Sequence, residues 1–317
     1  MTLEIVRITL RLHRFELIAF GAALGGLAVA TLLASAYITS LTPGPECLTP
    51  SDAAASFACQ RAQEAFSNAQ GSLAGLLLAP LLLITYATGL FLGVPIIARE
   101  LERGTVRLAW WLAPSRFRWF LGRVLPILAI VVALTFAAGV ATDSFFAAST
   151  PTVDISQSFD GYGVRGGLLA ARALFIFGIA VVVGSVIGRS LPAIILATLV
   201  ATIGMVGGLQ VQDRILKAEA VAITVNPNDE FGGFRPGDKF IDQKFRLPDG
   251  TLVGYESFGG GSPPTDEFGN VTYPTVNLVI PGDRYRFVEA REALALAGAA
   301  IVALLLAAAV VARRRPG

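Results

Sequence analysis

Long uninterrupted apolar blocks constrain this chain more than any other feature of its sequence. A bilayer core of roughly 30 Å is crossed by about 20 apolar residues in a helix. Six blocks reach that length, at about 17–41, 71–97, 122–146, 166–188, 190–210 and 290–312. Only 15% of the 317 residues are charged, whereas soluble domains carry about 25%. The sequence therefore predicts an all-α polytopic membrane protein with six transmembrane helices.

Basic residues indicate how these helices are oriented. With the N-terminus placed inside, the inner segments contain thirteen arginines and four glutamates, whereas the two short outer loops contain one arginine each, Arg61 and Arg165. Inner loops of membrane proteins are enriched in Lys and Arg. Because six spans return the chain to its starting side, we expect both termini in the cytoplasm.

Residues 1–16 have the pattern of an amphipathic helix. Glutamate and arginines recur at spacings of three and four, and apolar residues follow the opposite face: Glu4, Arg7, Arg11 and Arg14 against Ile5, Ile8, Leu12 and Phe15. Such a helix lies along the lipid bilayer surface, with its basic face toward the headgroups. The alternative is a simple cytoplasmic extension of the first span.

The stretch 211–288 differs in composition from the rest of the chain. It is rich in Gly, Pro, Asp and Asn, and it contains alternating runs such as 239–247 together with all three lysines. Alternation bounded by turn residues is typical of strands. We expect a small, partly β extracytoplasmic domain between transmembrane helices 5 and 6. Residues 17–210 then hold helices 1–5 and the cytoplasmic loop 98–121, and residues 289–317 hold helix 6 and a basic tail.

The two cysteines, Cys47 and Cys59, both fall in the first outer loop. Disulfides persist in oxidising extracytoplasmic compartments. The placement favours a disulfide between them, and two free thiols are the alternative.

Motifs for catalysis are missing from the sequence. It contains no G-x-x-x-x-G-K-[ST] phosphate-binding loop, no G-x-S-x-G and no H-E-x-x-H, and its one histidine is His13. These are the patterns that P-loop ATPases, serine hydrolases and zinc peptidases need. We expect a chain that is not itself an enzyme and that binds no metal, cofactor or nucleic acid.

The segment between the second and third spans, residues 98–119, carries the densest functional pattern. Gly104 is expected to end the helix that leaves the membrane, Thr105 to Trp111 to form a short helix, and Ser115 to cap the helix that re-enters. Trp110, Trp111 and Trp119 suit the inner interface. One interpretation is a rigid projection that a soluble partner grips. The other is an interfacial loop whose arginines set topology and whose tryptophans anchor it.

Several short motifs are similar to those of one family. They are R-E-L-E-R-G-T at 99–105, S-R-F-R-W at 115–119, G-R-S-L-P-A at 188–193, P-G-D-R-Y at 281–285 and R-R-R at 313–315. In this order, and with six spans, they resemble the type-2 ABC-transporter permeases, the transmembrane subunits of bacterial ABC exporters. The resemblance covers most of the chain.

The resemblance implies a partner ATPase and a second permease. In such a complex, a separate P-loop ATPase subunit binds ATP and Mg²⁺, and two permeases face each other as a homodimer or heterodimer in the bacterial inner membrane. The implied ATPase-coupling residues follow the end of span two: Glu100, Glu102, Arg103, Gly104, Thr105, Val106, Arg107, Trp110 and Trp111. The implied cargo is a hydrophobic or amphipathic compound, such as a drug, antibiotic or lipid, that moves out of the cell.

Spans two and five would line the shared pathway. Their candidate lining residues are Thr85, Tyr86, Thr88, Thr198 and Thr202. A threonine within a span more often bonds its own helix backbone. The alternative function is a membrane-anchored extracytoplasmic receptor or sensor, with 211–288 as its binding domain.

Two charges near the outer membrane surface are candidates for a structural ion pair, and snorkelling of the side chains or a functional role are the alternatives. Arg172 lies in the outer part of span four, and Asp143 lies at the outer end of span three. Charges inside membranes pair with one another because an isolated charge there is costly.

Overall fold

The protein is mostly helical, with 77% of the computed structural model in helices. The structure describes residues 2–44, 47, 57–112, 115–225, 233–258, 264 and 272–314. Within those ranges, the side chains of residues 2–5, 107, 109 and 112 are not described.

Six of the helices match the predicted spans. The helices are α1 (Thr2–Leu12), α2 (Arg14–Ser40), α3 (Phe57–Glu102), α4 (Val106–Leu112), α5 (Arg116–Ser149), α6 (Gly166–Ile187), α7 (Ser190–Glu219) and α8 (Tyr285–Arg313). All except α1 and α4 are long and apolar enough to cross a membrane. The Gly188 turn between α6 and α7 takes a left-handed conformation, with φ +69°.

The N-terminal amphipathic segment is divided into two parts. The helix predicted over 1–16 ends at Leu12, and α2 begins at Arg14, with His13 in the turn between them. The side chains of Ile8, Leu12 and Phe15 are all exposed. An exposed apolar face of this kind is what a helix lying in lipid presents.

Helix α3 is far longer than a membrane is thick. Its 46 residues span about 69 Å at the rise of an α-helix, whereas the predicted span covered only about 71–97. Pro80 and Pro95 lie inside it. Near its start, Cys59 is joined by a disulfide to Cys47. The amide of Gln63, one turn further along α3, donates a hydrogen bond to the Cys47 carbonyl at 3.0 Å.

Helices α3 and α6 pack closely in the helical unit. A Cβ atom placed on Gly93 would lie 2.7 Å from Cβ of Ala180, and one on Gly184 would lie 2.8 Å from the Val94 carbonyl oxygen. Gly89, one turn before Gly93, is equally confined. Gly89 and Gly93 form a G-x-x-x-G pattern, which lets membrane helices approach closely. The packing of α3 on α6 therefore depends on these glycines.

The chain between α7 and α8 contains a four-stranded antiparallel sheet. Its strands are β1 (Val221–Thr224), β2 (Lys239–Arg246), β3 (Leu252–Val253) and β4 (Thr275–Ile280), in the order β1-β4-β2-β3. Val221 pairs with Val279, and Phe245 pairs with Thr275 and Val253. The predicted β content of 211–288 is present as this sheet.

The sheet belongs to a compact unit made of residues 152–160 and 206–288, and the remaining helices form a second unit. The segment 152–160 comes from the connection between α5 and α6. Its Phe159 N–H donates to the Gly237 carbonyl at 2.9 Å, and its ring meets Tyr285 edge-on at 5.4 Å. The sequence did not predict this association because the two segments are about 80 residues apart.

The predicted pair between Arg172 and Asp143 is wrong. Arg172 bonds Glu292 of α8 at 2.8 Å, and Asp143 bonds Arg165 at 2.8 Å. Arg172 lies six residues into α6, about 9 Å along the helix axis from its first residue. The first turns of α8 meet it at that depth, whereas Asp143 meets the residue that precedes α6.

Candidate functional site

The loop between α3 and α5 folds as its sequence predicts. Gly104 adopts φ +70°, a left-handed conformation that glycine takes without strain, and it follows the end of α3. Helix α4 then occupies seven residues, Val106–Leu112. The Ser115 side chain caps α5 by accepting a hydrogen bond from the Arg118 amide at 3.2 Å. The short helix is thus held between two well-defined helix ends.

An aromatic cluster anchors one side of α4. The Trp110 ring meets the buried Trp119 ring edge-on, with centroids 6.3 Å apart. The guanidinium of Arg116 lies 4.4 Å from the Trp110 ring centroid. The same guanidinium donates to the carbonyls of Ala312 at 3.0 Å and Arg314 at 2.8 Å. Arg116 therefore fastens the loop to the C-terminal end of α8.

The opposite side of α4 is apolar and exposed. The Trp111 side chain is 89% exposed, and Leu108 is 67% exposed. Trp119 is buried, whereas the Trp111 ring packs against little of the part of the chain that the structure describes. Tryptophan is enriched among the residues that anchor protein interfaces, so the exposed Trp111 is a candidate contact for a partner.

Ion pairs tie the ends of the loop to neighbouring helices. Glu100 is paired with Arg123 of α5, and Arg99 is paired with Glu16 of α2. Arg123 also reaches the Thr9 hydroxyl of α1, at 3.5 Å. The Glu100 carboxylate is therefore mostly turned into the bundle, so it holds the loop in place.

Glu102 links α3 to α7. Its carboxylate accepts hydrogen bonds from the backbone N–H of Ser190 at 3.0 Å and from the Ser190 hydroxyl at 2.8 Å. A carboxylate at a helix N-terminus satisfies free N–H groups and interacts favourably with the helix dipole. The last residue of α3 thus caps the first turn of α7. This contact connects spans two and five.

Other predicted coupling residues lie in or beside the short helix. Arg103, Gly104 and Thr105 are exposed, and Val106 is buried. Arg107 belongs to α4, but its side chain is outside the described part of the chain. Among residues not predicted, Arg314 caps α6 by donating to the Ser185 carbonyl at 2.6 Å. The sequence predicted a basic tail at 313–315, which includes Arg314, but it did not predict this contact.

Tyr86 brings the candidate pathway residues of α3 and α7 together. Its hydroxyl donates to the Thr198 carbonyl at 2.9 Å and shares a hydrogen bond with the Thr202 hydroxyl at 2.8 Å. Thr88 donates to its own helix at Ile84, as most threonines in spans do. The buried Thr85 hydroxyl has no hydrogen-bond partner among the described residues. Tyr86 is therefore a second polar link between spans two and five, besides the contact of Glu102 with Ser190.

The fold and this loop agree with a comparison against known families. The model of the ABC-2 membrane transporter related family matches residues 17–212. The chain belongs to this family. The matched range runs from α2 into α7 and includes the whole loop between α3 and α5. No curated protein and no solved structure matches the chain closely enough to count as a relative.

Membership of the ABC-2 membrane transporter related family confirms the predicted resemblance to an ABC-2 type permease. The chain is the membrane subunit of an ABC transporter, a multi-pass protein that works with an ATPase subunit. The family gives the subunit itself a transport role. Of the two functions left open by the sequence, the family supports the transporter over the receptor.

Proposed function

We propose that this subunit is the permease of a bacterial exporter that moves a hydrophobic or amphipathic compound out across the inner membrane. A separate P-loop ATPase, which binds ATP and Mg²⁺, supplies the energy. The observation that carries the proposal is α4, which holds Leu108 and Trp111 exposed between the ends of two spanning helices. A partner that grips such a helix can move both spans.

The coupling residues divide into two roles. Two residues with exposed side chains, Thr105 and Trp111, contact the ATPase. Glu100 and the exposed Glu102 act instead by holding other helices of the subunit, through Arg123 and Ser190. ATP binding shifts the permease only if the two states of the ATPase contact this surface differently.

Two permeases are proposed to meet along α3 and α7. Within the helical unit, residues 190–205 of helix α7 bury only a narrow row of small side chains, Ala193, Ala197 and Ala201, one turn apart. Its other faces carry exposed Leu, Ile and Val side chains, which a second subunit or lipid can cover. In this arrangement Tyr86, Thr198 and Thr202, which hydrogen bonds join, are proposed to line the shared pathway.

The composition of this pathway favours an uncharged or amphipathic cargo. No charged residue occurs between residues 65 and 98 of α3, or between residues 190 and 212 of α7. Selective ion pathways contain ionisable or coordinating groups at membrane depth. A few hydroxyl groups on an apolar wall instead suit a largely apolar molecule with few polar groups.

Replacing Trp111 tests the coupling role. We expect Trp111→Ala to weaken binding of the partner ATPase by roughly 30-fold, since buried interface tryptophans contribute about 2 kcal/mol or more. Binding of the two purified proteins and ATPase activity of the complex would both be measured. Phe57→Ala is the matched control, because Phe57 is also an exposed aromatic residue but lies at the other end of α3.

Loss of ATPase binding and turnover in Trp111→Ala, with both retained in Phe57→Ala, supports the proposal. Equal binding by the two variants would contradict the coupling role of α4. Transport is then measured in vesicles with an apolar fluorescent cargo. Accumulation on the side where the C-terminus lies, rather than on the opposite side, would contradict export.

A further inference from the structure

We propose that a cavity beside α4 binds the phosphate of an anionic lipid headgroup. The cavity, called the elbow cavity below, has a volume of about 340 Å³ and is lined by the α1–α2 turn, the end of α3, α4 and α5. It lies within the helical unit. This site goes beyond the proposed transport function. Only the membrane leaflet in which the bound lipid lies depends on that function.

The charge of the elbow cavity suits an anion. Three guanidinium groups line it, from Arg99, Arg103 and Arg123, and Glu100 is its one lining carboxylate. Arg123 is paired with Glu100, and Arg99 with Glu16 outside the lining. Arg103 is exposed and forms no ion pair among the described residues. Its planar fork of donors therefore has room for phosphate, which arginine binds in a bidentate manner.

Buried polar atoms at the cavity have no hydrogen-bond partner in the described part of the chain. They are His13 Nδ1, Arg123 Nε and Glu100 Oε2. His13 is only 5% exposed, and burial lowers its pKa to about 4. Buried polar groups are rarely left unpaired in proteins. An anionic headgroup carries acceptors on its phosphate and hydroxyl donors on its alcohol. It can therefore satisfy both buried donors, such as Arg123 Nε, and buried acceptors, such as Glu100 Oε2.

An apolar rim favours a lipid as the source of the phosphate. Leu12 and Leu108 line the cavity and are also exposed. Ile8 and Phe15 extend the exposed apolar surface beyond Leu12. Acyl chains can lie along this surface while the headgroup enters the cavity. Inorganic phosphate would gain nothing from these apolar side chains.

The test uses the purified full-length permease without its ATPase. Retention of phosphatidylglycerol and phosphatidylcholine would be compared by native mass spectrometry over a range of lipid concentrations. We expect phosphatidylglycerol to bind about tenfold more tightly than phosphatidylcholine, and Arg103→Gln to remove most of that preference, since charge-assisted bidentate contacts are strong. Arg118→Gln is the matched control, because Arg118 is an exposed arginine in the first turn of α5 and does not line the cavity.

Phosphatidylglycerol preference that is lost in Arg103→Gln and kept in Arg118→Gln supports the site. No preference, or an equal loss in both variants, overturns it, since general surface attraction would then explain binding. A parallel arm adds inorganic phosphate alone and follows thermal stability. Stabilisation that depends on Arg103, without lipid selectivity, would assign the phosphate site to a soluble anion. Because no ATPase is present, these outcomes do not depend on the coupling role of α4.

Discussion

At the scale of single residues, the buried charges of the helical unit are held in specific pairs. Arg172 and Glu292 are 13% and 12% exposed in their side chains. The Tyr162 hydroxyl also donates to Glu292. A charge inside a low-dielectric bundle persists only when a partner and further hydrogen bonds offset its lost hydration. This pair thus fixes α8 against α6.

Removing one member of this pair should destabilise the protein strongly. We expect Glu292→Leu to lower the free energy of unfolding by about 3–5 kcal/mol, because it leaves the Arg172 charge buried without a carboxylate. The double variant Arg172→Met, Glu292→Leu should recover most of the loss. Thermal unfolding in detergent micelles measures all three proteins. Lys217→Ala, which breaks an exposed pair with Asp213, should have little effect, because solvent screens exposed ion pairs.

A double variant that is no more stable than Glu292→Leu would contradict this explanation. The destabilisation would then arise from lost packing around residue 292 rather than from the unpaired arginine.

His13 makes stability depend on pH. Burial lowers its pKa from 6.5 to about 4 in the folded state, so the unfolded chain binds the proton more readily between these values. Protonation therefore favours unfolding as the pH falls below 6.5, and above that pH the effect vanishes. Between pH 7 and pH 5, we expect His13 to reduce the free energy of unfolding by up to about 2 kcal/mol.

Thermal unfolding of the wild type and of His13→Gln at pH 7 and pH 5 checks this. Glutamine does not titrate, so the variant should lose less stability on acidification. Equal losses in the two proteins would show that other groups cause the pH dependence.

At the scale of elements, local sequence signals located helix ends well. Gly104, Ser115 and the short helix between them lie where propensity and capping rules predict. These signals depend only on neighbouring residues. The full length of α3 was not predicted, because polar residues of its first turns resemble a loop when hydropathy alone is considered.

The close contact between α3 and α6 predicts different effects for two glycines of one helix. Gly93→Ala should lower the free energy of unfolding by about 1–3 kcal/mol, because its Cβ would meet Ala180 and the backbone must shift. Gly75→Ala is the control. No atom lies within 4 Å of a Cβ there, so stability should stay the same or rise by up to about 1 kcal/mol.

Thermal unfolding of both variants under the same conditions measures the difference. If Gly75→Ala is as destabilising as Gly93→Ala, helix flexibility rather than close packing explains the need for glycine.

At the scale of the whole molecule, the chain divides into a helical unit and a sheet unit. Positive charges and the disulfide together predict which side of the membrane each loop occupies. The disulfide between Cys47 and Cys59 requires an oxidising compartment, whereas the arginines of the loop between α3 and α5 favour the cytoplasm.

Labelling in whole cells tests this topology. A membrane-impermeant maleimide should modify Cys47 and Cys59 only after reduction, and it should do so without permeabilisation. A cysteine placed in the tail by Gly317→Cys, in a background with Cys47 and Cys59 replaced by Ser, should react only after permeabilisation. Tail labelling in intact cells would contradict the predicted orientation.

Composition and local order by themselves determined the class of protein, its six spanning helices, the ends of the short helix and the family resemblance. Each depends on residues that are close together along the chain, through hydropathy, capping and charge. The sequence also located the loop between α3 and α5, because its helix ends depend on neighbouring residues.

Only the tertiary structure decided which distant residues meet. It paired Arg172 with Glu292 instead of Asp143, placed Glu102 at the start of α7, and added 152–160 to the sheet unit. A single sequence states the charge and size of each side chain but not the depth at which helices pack. That depth follows from close contacts such as Gly93 against Ala180, which form only when the helices come together.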